Sequence, residues 1–185
     1  FATDSGSAVT IVDTTALDLK ALTAASLSAT SGGAVTDSGT LAIAGATTIS
    51  ASGQDITLDQ AASTFGTLLL TGANVAVSET AATDLGASTV SGTFAITSGG
   101  AITDSGTQAI TGDATFTNTA GSDDAITLDD ASNAFGGTVT FATDSGSAVT
   151  IVDTTALDLK ALTAASLSAT SGGAVTDSGT LAIAG

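Results

Sequence analysis

Apolar residues alternate with small or polar ones in short runs along the whole chain. Leu41/Ile43, Ile56/Leu58, Leu68/Leu70, Val75/Val77, Phe94/Ile96, Val139/Phe141, Val149/Ile151 and Leu157/Leu159 are the clearest pairs. A period of two puts both members of a pair on one side of a strand. Gly, Ser, Asp and Asn cluster between the pairs and supply turn chemistry. No apolar stripe persists at helical spacing, and Thr, Ser and Gly are poor helix formers, so a helical repeat is not expected. Strands of three to five residues are too short for a wide sandwich sheet, but they suit the faces of a coil that stacks on the next coil. The pattern predicts an all-β fold, a parallel β-helix (β-solenoid) whose inward residues stack into apolar columns.

A long-range repeat supports this. Residues 1–45 and 141–185 are identical at every position, so the period is 141 − 1 = 140 positions. Ile56-Thr57-Leu58-Asp59 recurs as Ile126-Thr127-Leu128-Asp129, and Phe65-Gly66 as Phe135-Gly136, which divides the 140 into halves of about 70. Ser98–Gly106 matches Ser171–Gly179 with an offset of 73, and Thr-Asp-Ser-Gly recurs at 3–6, 36–39, 103–106, 143–146 and 176–179. The chain is expected to be one continuous solenoid over residues 1–185, a window of a longer array. About eight strand-like runs per half predict three or four coils, with a fainter sub-unit near half of 70 favouring four coils of about 17–18 residues; the full range is about 17–23 residues per coil and a 140-residue repeat about 29–38 Å tall. The narrow interior takes Ala, Val, Ile and Leu, with the few Phe at wider corners. Open coil ends expose unpaired strand edges and make the isolated window prone to associate.

The succession Asp55-Ile56-Thr57-Leu58-Asp59, Phe65-Gly66, Leu85-Gly86-Ala87-Ser88-Thr89-Val90-Ser91-Gly92 and Gly99-Gly100-Ala101-Ile102-Thr103 resembles the repeats of filamentous-haemagglutinin-like surface proteins. Those are very large bacterial exoproteins and adhesins. The resemblance covers essentially the whole chain and implies a right-handed parallel β-helix, export to the cell surface, and a role in adhesion, aggregation or an extracellular fibre.

Composition narrows the chemistry. Seventeen Asp and one Glu face two Lys, giving a net charge of −16, so nucleic acid and anionic membranes are poor partners. Hydrophobic residues make up 43%, which sets the chain apart from disordered sequences. No apolar run approaches a membrane span. With no Cys there is neither a disulfide framework nor a thiolate metal site. The acidic residues around one strand, Asp123, Asp124, Asp129 and Asp130, are candidates for calcium. The chain lacks the Gly-Gly-x-Gly-x-Asp nonapeptides of calcium-binding β-rolls, so at most weak, salt-like cation binding is expected there. Asp elsewhere caps turns, and the Thr-Asp-Ser-Gly turns are expected about two rungs apart, where carboxylate repulsion is tolerable. Lys20 and Lys160 each follow an Asp by two residues, a surface ion pair.

Catalysis is not expected. There is no His base, no Cys nucleophile and no Arg, and the adjacent carboxylates Asp129 and Asp130 would point to opposite sides of a strand. Thr-x-Thr triplets such as Thr115-Phe116-Thr117 fall irregularly, unlike a flat ice-binding array. No cofactor is implied. The function this predicts is the shaft of a long, secreted cell-surface fibre or sheath, whose partners are further copies of its own repeat, end to end or laterally. The alternative is an adhesin repeat that binds carbohydrate or another cell surface.

Overall fold

The computed structural model describes residues 6–119, 124–143 and 146–184. Every regular element among them is a strand, and each strand pairs in parallel with its counterpart one coil away. The molecule is a β-solenoid of about nine turns with roughly 19 residues per coil.

The first coil holds β1 (Ala8–Asp13), β2 (Leu17–Leu19) and β3 (Leu22–Ala24). The second holds β4 (Ser26–Ser31), β5 (Val35–Asp37) and the start of β6 (Leu41–Ser50). The end of β6, β7 (Ile56–Leu58) and the start of β8 (Thr64–Gly72) make the third, and the rest of β8 with β9 (Val75–Glu79) the fourth. Next come β10 (Thr83–Leu85), β11 (Ser88–Val90) and β12 (Phe94–Ser98), then β13 (Ile102–Asp104), β14 (Gln108–Ile110) and β15 (Ala114–Asn118). β16 (Ile126–Leu128), β17 (Ala134–Phe135) and β18 (Thr138–Ala142) form the seventh coil. β19 (Ala148–Asp153), β20 (Leu157–Ala164), β21 (Ser166–Ser171) and β22 (Val175–Ile183) complete the stack.

Two broad faces result. One is a nine-stranded sheet in the order β2-β5-β7-β9-β12-β15-β18-β20-β22; the other is a 13-stranded sheet built on β1-β4-β6-β8-β10-β13-β16-β19-β21. Short side strands join them: β3 pairs with the start of β6 early in the stack, and β11, β14 and β17 pair in series later. The alternation read from the sequence faces its apolar members inward, as in β9, where Val75 and Val77 are buried and Ala76 and Ser78 are partly exposed. Each column then runs through successive rungs, for example Leu58, Val77, Ile96, Phe116, Phe141.

The register counts the coils. Along the nine-stranded sheet the step from Leu17 to Val35 is 35 − 17 = 18 positions, followed by 21 to Ile56, 19 to Val75 and 19 to Phe94. It is then 20 to Ala114, 25 to Val139 and 20 to Leu159. Seven coils therefore take 159 − 17 = 142 positions. The 140-residue repeat is seven coils less two positions. A slip of two keeps inward residues inward. The coil length lies inside the expected range, but the half-repeat does not contain three or four whole coils. It contains three and a half.

The half coil changes which face a sequence occupies. Ile56–Leu58 lies in the nine-stranded sheet and its copy Ile126–Leu128 in the 13-stranded one. Val35–Asp37, Ile102–Asp104 and the Val175–Asp177 stretch of β22 alternate in the same way, as do Phe94–Ser98 and Ser166–Ser171. Successive halves are thus related by half a turn and a rise of 3.5 rungs, about 17 Å. This pseudo-screw is possible because the flattened coil has two similar broad faces. It also revises the turn spacing: the Thr-Asp-Ser-Gly turns at 36–39, 103–106 and 176–179 lie 3.5 coils apart on opposite faces, not two rungs apart on one. The copies at 3–6 and 143–146 lie partly outside the described residues.

Phenylalanine placement also differs from expectation. Phe94, Phe116, Phe135 and Phe141 gather in one buried cluster instead of taking separate corners. Phe116 is its hub, edge-on to Phe94 at 5.9 Å and to Phe135 at 6.1 Å, and stacked on Phe141 at 5.7 Å. Ala114, Phe94's register partner one rung on, leaves the room that lets the rings meet inside a narrow coil.

Candidate functional site

Most polar side chains inside the solenoid sit at its corners, where a short side strand runs out and backbone amides lose their ladder partners; Thr47, within β6, is an exception. Two corners, half a repeat apart, carry the same arrangement on opposite sides. At the later one Asp104 Oδ1 accepts from the Asp129 amide at 2.8 Å. Its Oδ2 accepts from the Asp130 amide at 3.3 Å and from Asn133 Nδ2 at 2.5 Å. Asn133 Oδ1 accepts from the Gln108 amide at 2.7 Å. Asp153 Oδ1 accepts from the Phe135 amide at 3.2 Å and from the Thr155 amide and hydroxyl, each at 2.9 Å.

The earlier corner repeats this with shorter or longer side chains. Asp37 Oδ1 accepts from the Asp59 amide at 2.9 Å, and Ser63 Oγ from the Leu41 amide at 3.0 Å. Glu79 Oε2 accepts from the Phe65 amide at 3.0 Å and Oε1 from the Thr83 hydroxyl at 2.7 Å. Asp37 Oδ2 is buried without a hydrogen-bond partner, and Ser63 lacks the amide that Asn133 offers Asp104. Burial holds the Glu79 carboxyl above its ordinary range, against the pull of its two hydrogen bonds. Burial raises Asp37 as well, with the neighbouring Asp59 charge adding to it. Ser63→Asn, which supplies the missing donor, is expected to stabilise the chain by about 1 kcal/mol in urea unfolding. A variant no more stable than the parent would show that this corner cannot seat the amide.

A third corner, entering the nine-stranded sheet, is a ladder open to solvent. Asp55 Oδ1 accepts from the Asn74 amide and Nδ2, Asn74 Oδ1 from the Thr93 amide and hydroxyl, and Asp113 Oδ1 from the Thr138 amide. That amide is the main cause of the lowered Asp113 carboxyl, and Lys160 is a smaller one. Lys20 meets the ion-pair expectation: it bonds Asp18 and, at 2.6 Å, the Ser38 hydroxyl. Asp18 is lowered mainly by the Lys20 bond. The identical Lys160 differs, since it sits where β20 shifts register and Asp158 Oδ1 is buried without a partner.

The calcium candidates do not form one site. Asp123 lies outside the described residues. Asp124 precedes β16, and its carbonyl accepts from Asn118 Nδ2 at 3.2 Å. Asp129 and Asp130 follow β16 in a turn rather than in a strand; Asp130 Oδ1 accepts from the Ser132 amide at 2.9 Å and the Thr107 hydroxyl at 3.1 Å. Among the described residues no three acidic groups converge as a metal site would require.

The broad faces contrast with the corners. From β5 to β18 the outward residues of the nine-stranded sheet are Thr, Ala and Ser alone, so a chain of charge −16 carries a neutral flank. The identical segments also meet two environments. Val149, Ile151 and Leu157 are fully buried by the coil beneath them, while Val9, Ile11 and Leu17 in the first coil are only partly covered. Ile11, Leu17, Leu19 and Leu22 there line an open hollow of about 260 Å³.

The model of a protein family described as "Repeats of unknown function (DUF5649)" matches residues 6–71, 72–142 and 146–185. The chain belongs to this family. The DUF5649 units begin just before β1, β9 and β19, which fall on alternate faces, so the family unit is the 3.5-coil half-repeat. No curated protein and no solved structure matches the chain.

Proposed function

We propose that these DUF5649 repeats form the shaft of a long extracellular fibre or sheath at a cell surface, built by stacking coils end to end. The observation that carries this reading is the double environment of one sequence. The apolar underside that β1 and β2 leave open is the underside that β19 and β20 bury on the coil below. A repeat that covers its own copy in this way can extend without changing fold, and each coil contacts only its neighbours. The buried acids at the corners are engaged by backbone amides of adjacent coils, which supports a structural role for them. Secretion follows from the resemblance to filamentous-haemagglutinin-like exoproteins.

The second reading, an adhesin repeat that binds carbohydrate, is favoured by the neutral threonine-bearing flank between β5 and β18, which would meet an uncharged sugar chain without repulsion. Two measurements separate the readings. Chains with one, two and three 140-residue repeats should lengthen by about 34 Å per repeat in small-angle scattering. A glycan array should stay dark if the repeats are only shaft. Length that fails to scale with repeat number would sink the fibre, and a specific glycan signal lost on Thr115→Lys would establish the adhesin.

A further inference from the structure

Glu79 and Asp37 are 4% and 6% exposed, and neither has a cation beside it. Of the chain's two lysines, Lys20 is held by Asp18 and Lys160 lies toward Asp113. Glu79 ends β9, whose neighbours are β7 below, flanked by Asp55 and Asp59, and β12 above, which places Ser98 opposite it and carries no charge. β8, which bonds Glu79 through the Phe65 amide, is uncharged, and Asp84 on β10 turns outward to Thr67 and Ser105. Asp37 ends β5, between β2, which carries Asp18 with Lys20 beyond it, and β7, which Asp59 follows. Among the described residues, the only charges near either buried acid, apart from the occupied Lys20, are therefore other carboxylates.

We propose that this corner makes the stack harden in acid, Glu79 and Asp37 each taking up a proton that relieves a buried charge with no countercharge beside it. As carboxylates, Glu79 and Asp37 hold buried charge with no countercharge, and one Asp37 oxygen has no hydrogen-bond partner. As neutral acids they keep an acceptor for the amides of Phe65 and Asp59 and lose the desolvation penalty. The sign follows from linkage. Both groups bind a proton more tightly folded than unfolded, so their contribution is fully present below the ordinary carboxylate range of about 4. It is lost as pH rises through their raised folded values. Asp13, Asp18 and Asp113 are lowered instead, by the Thr15 amide, the Lys20 bond and the Thr138 amide respectively, so they oppose this trend only at lower pH. The inference stands on the corners of one coil stack and holds whether the stack serves as shaft or adhesin.

The test is thermal unfolding of the 185-residue chain between pH 7.5 and 4.5 in 0.3 M salt, which screens general repulsion among exposed carboxylates. The parent should melt several degrees higher at the acid end. Glu79→Gln, which keeps an acceptor for the Phe65 amide, should raise the melting temperature at pH 7.5 and lose roughly half of the pH dependence, and Asp37→Asn should remove most of the rest. Asp129→Asn, at an exposed turn, should leave the parent profile in place. Should either variant fail to fold, infrared spectra of the parent supply the second measurement: a protonated carboxyl band that persists after the exposed acids have ionised. A flat parent profile, a Glu79→Gln profile as steep as the parent's, or no such band would overturn the proposal.

Discussion

Phe116→Ala is expected to cost about 4 kcal/mol, among the largest losses available to any single substitution in this chain. The ring is fully buried and touches three others, from the coils on both sides and from the opposite side strand, so its removal opens a cavity that no one neighbour can fill. Backbone ladders fix the rungs at about 4.8 Å, which prevents the walls from closing on the gap. Denaturant unfolding should show the loss as a lower midpoint. Because each coil leans only on its neighbours, the middle of the stack, around β12, β15 and β18, should open first in hydrogen exchange. Phe116→Leu should lose less than half as much. An alanine variant within about 1 kcal/mol of the parent would mean that the cluster is not packed as described.

Gln108→Ala is the second, with an expected cost of about 3 kcal/mol. Gln108 is fully buried, and its Nε2 donates to the carbonyls of Gly106 at 2.7 Å, Gly86 at 2.8 Å and Leu85 at 3.3 Å. Leu85 and Gly86 lie where β10 gives way to β11, and Gly106 one coil on, where β13 gives way to β14. Alanine would remove the donor they share, leaving Leu85 only the Ser105 amide and Gly86 only the Ser88 hydroxyl, and leucine, although apolar, would do the same. The comparison is therefore sharp: Gln108→Leu should also destabilise, although the equivalent residue in the other half is Leu41. If leucine is tolerated, the Gln108 amide is not what holds these carbonyls and the corner account fails.

These two residues mark the boundary of what is legible in the sequence. The period-two pairs locate nearly every inward column, because burial on one side of a strand writes itself directly into alternation. The 140-residue identity declares the array. Coil number is not legible, because matching segments suggest a half-repeat that closes on whole coils. Ile56–Leu58 and Ile126–Leu128 look alike yet serve opposite faces, and only strand pairing distinguishes the two. Gln108 and Asn133 are hidden for a related reason. They stand where the other half carries Leu41 and Ser63, so drift obscures them, and apart from Gly106 their side-chain partners are 22 to 29 residues away along the chain. The one available signal is polarity at a position the register makes inward. The reading of the acids as turn caps fits Asp55 and Asp113, but nothing local marks Glu79 and Asp37 as sealed inside.

The claim on which the rest depends is that the half-repeat is 3.5 coils related by a half-turn. Cryo-electron microscopy of a chain carrying several 140-residue repeats tests it most directly. The account predicts layers at about 4.8 Å, an axial repeat of about 34 Å, and a half-turn screw at about 17 Å that exchanges the two broad faces. An axial repeat of about 29 Å or about 38 Å, with every half-repeat presenting the same face, would mean whole coils per half and would contradict it.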